Sequence, residues 1–268
     1  MRRALTFLGL VMLLARPTFG TVESRPAPPW RDVGIDQRLG ETLPLDLRFR
    51  DERGRDVRLG DLFAQRPVIL TFAYSDCPML CPIVLNGLVA TLRTLPLEMG
   101  RDYDVVTVSI DPKETPHDAL GKKNVYVNRY ARAGAIGGWR FLTGEADAIA
   151  SLTAAAGFRY VYERRIDQYA HAAGIVVVAP GAKIARYFYG VEFSARDLRL
   201  GLVEASEGRI GTLADQILLL CYHYDPETGT YGALALGLVR TGGALTVMVL
   251  GGFLFVMWRC ERRAVERA

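Results

Sequence analysis

Histidine and cysteine are scarce in this sequence: its 268 residues include three histidines and four cysteines. Four cysteines, at positions 77, 81, 221 and 260, are too few for a disulfide-stapled scaffold, so a hydrophobic core has to hold the fold. No second closely spaced cysteine pair accompanies Cys77 and Cys81, which leaves a structural zinc site short of its usual four ligands. Basic residues form no stripe interleaved with aromatics, and the formal net charge is only +4, so no nucleic-acid partner is expected. Internal repeats and low-complexity tracts are missing as well, which excludes solenoids and arrays.

Half of the residues are hydrophobic and 23% are charged, a balance that suits a globular core. The length fits one domain of ordinary size with extra segments at each end. A mean hydropathy of +0.13 is high for a purely soluble chain and directs attention to those ends. Met1-Arg2-Arg3, an apolar run over residues 4–15 and small or turn residues up to Gly20 follow the order of a secretory signal. The run is shorter than the roughly 20 residues a membrane span needs, which favours a cleaved signal over residues 1–20 above an uncleaved anchor.

Residues 241–258 carry no charge and close on Trp258, and Arg259, Arg262, Arg263 and Arg267 follow. This pattern predicts one transmembrane helix over 241–258 and a cytoplasmic tail over 259–268. The main body then lies on the outer, periplasmic face of the inner (cytoplasmic) membrane, in agreement with the signal. Cys260, beyond the span, is out of reach of the other cysteines.

Between the ends, residues 21–42 read as an irregular leader rich in Pro, Arg and Asp, and residues 43–207 as the folded domain. Short strands are expected at 43–49 and 57–59, around the turn Asp51-Glu52-Arg53-Gly54. Residues 67–74 form a continuous apolar, β-rich run, the mark of a strand buried on both faces. From Ile83, the spacing of Leu85, Leu88, Val89, Leu92 and Leu95 is helical, with Pro82 at the first helical position. A second buried strand covers 103–110, a helix 116–131, and residues 139–142 lead into a helix over 146–156. A hairpin pairs 174–179 with 183–189 across Pro180-Gly181-Ala182, and a last helix covers 194–205. Parallel strands with crossover helices and an antiparallel hairpin at one edge predict an α/β, thioredoxin-like fold. Residues 208–240 read as a juxtamembrane linker.

The chemistry is concentrated in Cys77-Pro78-Met79-Leu80-Cys81-Pro82, where a central strand ends and a helix begins. The helix N-terminus favours thiolates, which are nucleophiles and soft-metal ligands. Three residues separate the cysteines where a thioredoxin-type redox pair has two. The wider pair can close as a disulfide or hold a soft metal between its sulfurs. Copper fits best, because thiolates select Cu(I) and imidazole serves both copper oxidation states. Of the three histidines, His171 stands directly before the 174–179 strand, in a loop expected beside the cysteine turn. Cys77, Cys81 and His171 would make a trigonal site for one copper ion. Met79 is an extra soft donor inside the loop, although such a residue more often packs. His117 reads as an ordinary surface residue. The plainer alternatives are a simple disulfide or two buried thiols at 77 and 81, and a turn histidine at 171.

Together these residues resemble the Sco/SenC family of copper-binding assembly factors for cytochrome c oxidase. The resemblance runs over residues 43–205 and rests on the strand entering the cysteine motif, Val108-Ser109-Ile110-Asp111-Pro112, Trp139-Arg140-Phe141-Leu142-Thr143-Gly144 and His171. It implies that Cys77, Cys81 and His171 are the copper ligands. It further implies delivery of copper to the dinuclear copper site of oxidase subunit II, or reduction of that site's cysteines. The partners would be subunit II or a related terminal oxidase, and other copper chaperones. Many members carry an N-terminal anchor, whereas this chain is read as anchored at its C-terminus, and Met79 fills a position that is often acidic in the family. The competing function is a membrane-anchored thiol–disulfide oxidoreductase using Cys77 and Cys81 alone. Cys221 and His223, two residues apart ahead of the span, add a soft and a borderline ligand that could assist transfer as an accessory copper site. Tyr222, Tyr224 and Tyr231 equally suit a segment that settles at the membrane interface.

Overall fold

The computed structural model describes residues 32–209, 224–225, 230–231, 241–243, 245–253 and 257–258. Its centre is the strand β4 (Val68–Ala73), buried at every position. Such a run can be buried on both faces only if strands flank it and other elements cover it, and both conditions hold. β5 (Asp104–Ser109) pairs with it in parallel and β9 (Gly174–Ala179) antiparallel. The seven-stranded sheet has the order β10-β9-β4-β5-β6-β2-β3. Here β2 is Arg48–Asp51, β3 is Asp56–Arg58, β6 is Trp139–Thr143 and β10 is Lys183–Tyr189. The polar atoms inside this core find each other: Thr71 donates to Thr107 at 2.8 Å, and the Trp139 indole donates to the same Thr107 hydroxyl at 2.9 Å.

The short helix α1 (Leu59–Leu62) follows β3, and α2 (Leu80–Thr94) follows β4. α2 buries Val84, Leu85, Leu88, Val89 and Leu92, the helical stripe the sequence carries. At Gly87 this helix lies so close to the chain near Val191 that an added Cβ would come within 1.8 Å of the Val191 carbonyl oxygen. Thr91, one turn on, donates to the Phe193 carbonyl at 2.8 Å. α3 (Pro116–Tyr130) opens on a capping box between Thr115 and Asp118, with Pro116 at its start. The chain then runs through α4 (Ala135–Gly138), β6 and α5 (Ala146–Ala155), and α6 (Ala195–Ser206) closes the domain from its Ser194 cap.

Beside the main sheet stands a second one of three antiparallel strands, β1-β7-β8. β1 is Gly34–Ile35, β7 is Phe158–Glu163 and β8 is Gln168–His171. This sheet departs from the sequence reading in two ways. Residues 34 and 35, placed in an irregular leader, pair with β7. His171, placed in a loop, ends a strand opposite Tyr160. β7 does alternate, with Phe158, Tyr160 and Tyr162 on one side and Arg159, Val161 and Glu163 on the other, but its partner β8 is only four residues long, and the sequence reading passed over the hairpin. Smaller differences concern boundaries. Residues 139–143 are a strand rather than a lead-in to a helix, and β2 begins at Arg48 rather than at residue 43. α2 begins at Leu80, which makes Pro82 its third residue; this is still harmless, because the first four helical N–H groups have no partner within the helix.

Among the described residues no helix is long and apolar enough to cross a membrane. Residues 241–243, 245–253 and 257–258 are helical, and Leu245, Val247, Met248, Val249, Leu250 and Phe253 are exposed there. The expected signal at 1–20, Cys221, His223, Cys260 and most of the linker and tail lie outside the described residues.

Candidate metal centre

The three sequence-selected donors converge. β4 runs out at Ala73, and Tyr74, Ser75 and Asp76 carry the chain to Cys77 at the mouth of α2. Cys81 lies in the first turn of that helix, and its backbone N–H donates to the Cys77 sulfur at 3.3 Å. β8 delivers His171 from the other side, with Nε2 at 3.0 Å from the Cys81 sulfur and 4.0 Å from the Cys77 sulfur. The three ligand atoms all lie within 4.8 Å of one another, and all three residues are buried. Both cysteines are free thiols.

Local contacts fix each donor. The Nδ1 of His171 lies 2.9 Å from the Ala172 carbonyl oxygen. A carbonyl only accepts, so Nδ1 carries the proton and Nε2 turns its lone pair toward the sulfurs. The ring packs against Tyr74 edge-on at 6.1 Å and against Phe158 at 6.0 Å. The Tyr74 hydroxyl donates to the Tyr169 carbonyl at 3.4 Å and accepts from the Tyr169 N–H at 3.3 Å, which ties β8 to the end of β4.

The two sulfurs are electrostatically unequal. The hydrogen bond from Cys81 does most to pull the Cys77 thiol down, to about 3, and bonds from the Cys81 and Met79 backbone add to it against the cost of burial. Cys81 moves up, first because it gives that hydrogen bond and second because it is the more deeply buried. A single proton shared by the pair therefore rests on Cys81, and Cys77 is the standing thiolate. Burial and the Cys77 charge together push the Tyr74 phenol up.

The remaining sequence candidates fall elsewhere. Met79 caps α2 and is 69% exposed, so it does not pack as such residues more often do. His117 is exposed on α3 and is not part of the donor cluster. Two residues that the sequence reading passed over approach the site from the α3 side. Lys122 donates to the Tyr74 carbonyl, and Glu114 accepts from the Ser75 N–H. The only sequence cue for Lys122 is its neighbour: Lys122 and Lys123 point about 100° apart on a helix. Lys123 goes to the buried Glu52 at 2.6 Å, which leaves Lys122 to face the site.

A family model described as SCO1/SenC matches residues 37–201, more than half of the chain. The chain belongs to the SCO1/SenC family. Solved structures agree on the fold of this SCO1/SenC domain. One from Aquifex aeolicus VF5 has a TM-score of 0.57 at 25% identity, covering 66% of this chain and 98% of its own. BsSco, of the Sco family of cytochrome c oxidase assembly proteins, gives 0.52 at 22% identity, covering 64% and 97%. Arabidopsis thaliana ScoI, solved with copper bound, gives 0.50 at 19% identity, covering 64% and 99%. No curated protein matches the sequence.

Proposed function

We propose that this SCO1/SenC protein holds one copper ion through Cys77, Cys81 and His171 and passes it to the dinuclear copper site of cytochrome c oxidase subunit II or a related terminal oxidase. The observation that carries this reading is the convergence of two sulfurs and one imidazole nitrogen within 4.8 Å of one another on three buried residues. The donor chemistry fits copper: two thiolates favour Cu(I), and the nitrogen lets the site serve Cu(II) as well. Copper is bound in the solved Arabidopsis thaliana ScoI, and the family of BsSco is one of oxidase assembly proteins. The ion is cargo here, so the residues hold and release it rather than turn over a substrate. Transfer tests the reading directly. Copper-loaded protein mixed with a metal-free soluble fragment of subunit II should lose its copper as the fragment gains the dinuclear site's colour. Copper that stays on the donor would contradict delivery.

The unequal sulfurs support a second reading, reduction of the target's cysteines. The Cys77 thiolate would attack one sulfur of a target disulfide and release the other as a thiolate, leaving a mixed disulfide. Cys81 would then pass its proton to the released target sulfur, attack Cys77 and free the second target sulfur as a thiolate, so two electrons pass to the target and the Cys77–Cys81 pair is left oxidised. This reaction does not need His171, whose removal separates the two roles.

The chain ends enter the same proposal. A signal over 1–20 and a span over 241–258 would place the domain on the outer face of the inner membrane, near a membrane-bound oxidase. Cys221 and His223 would assist transfer close to the bilayer. A Cys221→Ser, His223→Ala double variant should keep its copper stoichiometry and slow oxidase maturation at limiting copper. Normal maturation would reduce that segment to a membrane collar.

A further inference from the structure

One peptide unit ahead of the cysteine turn is held at both of its polar atoms by groups from the α3 side. Lys122 donates to the carbonyl of Tyr74, and Glu114 accepts from the N–H of Ser75, the two ends of the same peptide bond. Both side chains are partly buried. Burial raises the Glu114 carboxyl and lowers the Lys122 amine, so each depends on the partners it has. Neither is needed for the nearby ion pair, because Lys123 and Arg140 already serve Glu52 at 2.6 and 3.7 Å.

The gripped peptide joins both halves of the donor set. Toward the C-terminus, Ser75 is two residues from Cys77. In the other direction, the Tyr74 hydroxyl exchanges two hydrogen bonds with Tyr169, two residues before His171 on β8. A rotation of the Tyr74–Ser75 peptide would therefore move the sulfurs and the imidazole apart. Lys122 also acts through its charge: the Cys77 thiolate is among the negative groups that face it.

We propose that Lys122 and Glu114 are positioning residues whose two-point clamp on the Tyr74–Ser75 peptide sets the separation between the cysteine pair and His171 and favours the reduced, thiolate-bearing form. The clamp takes its functional meaning from the copper reading, yet it can be tested without metal. The full-length chain would be prepared as Lys122→Met, Lys122→Arg, Glu114→Leu and the parent. Hydrogen exchange at the Ser75 amide would be followed by mass spectrometry. The Cys77–Cys81 dithiol–disulfide equilibrium would be read by thiol trapping in glutathione buffers.

Glu114→Leu should speed Ser75 exchange by about tenfold, the worth of a hydrogen bond to a charged acceptor. Lys122→Met should shift the equilibrium by about tenfold toward the disulfide, because a cation that favours thiolate is gone. Lys122→Arg should restore most of that shift. Parent-like exchange in Glu114→Leu together with a parent-like equilibrium in Lys122→Met would overturn the clamp. So would a shift that tracks only a loss of thermal stability and that arginine fails to rescue. Either result leaves the copper reading standing, whereas full copper retention by Cys77→Ser would remove that reading and leave the clamp untouched.

Discussion

His171 presents Nε2 to the Cys81 sulfur at 3.0 Å, while its Nδ1 is spent on the carbonyl of its own neighbour, Ala172, at 2.9 Å. A single tautomer is thereby selected by the backbone of β8, and the nitrogen left over is the one that faces the thiols. The arrangement turns a pair of cysteines, sufficient for redox work, into a three-donor centre.

The charge difference between the sulfurs has a direct chemical consequence. The thiolate is the nucleophile, and a lowered pKa keeps it present as the pH falls. Cys77, held at about 3 chiefly by the Cys81 hydrogen bond, should react with iodoacetamide at nearly constant rate from pH 8 to pH 5 in metal-free protein. An ordinary thiol loses about tenfold per unit below its pKa of ~8.5. Cys81→Ala removes the main donor and should move the Cys77 profile toward that ordinary behaviour. Alkylation followed by peptide mass spectrometry separates Cys77 from the other cysteines, and an ordinary profile in the parent would refute the shared proton.

The buried pair Glu52–Lys123 pins the β2–β3 turn to α3, the helix that also carries Lys122. Glu52 is 1% exposed and accepts Lys123 at 2.6 Å and the Phe141 N–H at 3.3 Å. Lys123→Met would strand a buried carboxylate and should cost about 3 kcal/mol, the low end for breaking such pairs because Arg140 remains 3.7 Å away. Replacing both partners, Glu52→Leu with Lys123→Met, should cost less than the single change. Urea denaturation measures each, and an additive double variant would show that the two groups do not depend on each other.

Much of this was legible in the sequence, for identifiable reasons. The run over 67–74 and the helical stripe from Leu85 to Leu95 announce their burial by composition and period, and both elements occur. The cysteine pair is visible because its spacing is local. His171 is harder: its partners lie 90 and 94 residues away, and only the folded hairpin that carries it brings it to them. The scarcity of histidine made it findable at all. Glu114 left no trace and Lys122 only the cue of its neighbour Lys123, because a lysine that reaches into a site looks like any lysine on an amphipathic helix.

Topology is the next test. With the domain outside and residues 259–268 inside, protease added to intact spheroplasts should digest the domain and spare a tag placed after Ala268. Loss of the tag along with the domain would reverse the orientation.

The most direct measurement is copper binding by the full-length parent, by Cys77→Ser and Cys81→Ser, and by His171→Ala, each titrated with Cu(I) and Cu(II). The parent should take up one ion. Each serine variant should lose tight binding while circular dichroism shows the fold intact. His171→Ala should weaken binding by more than about tenfold, most of all for Cu(II), since losing a ligand costs at least as much as losing the group that orients one. Full stoichiometric copper in both serine variants, or a His171→Ala protein with the parent's copper spectrum, would show that these three residues are not the site.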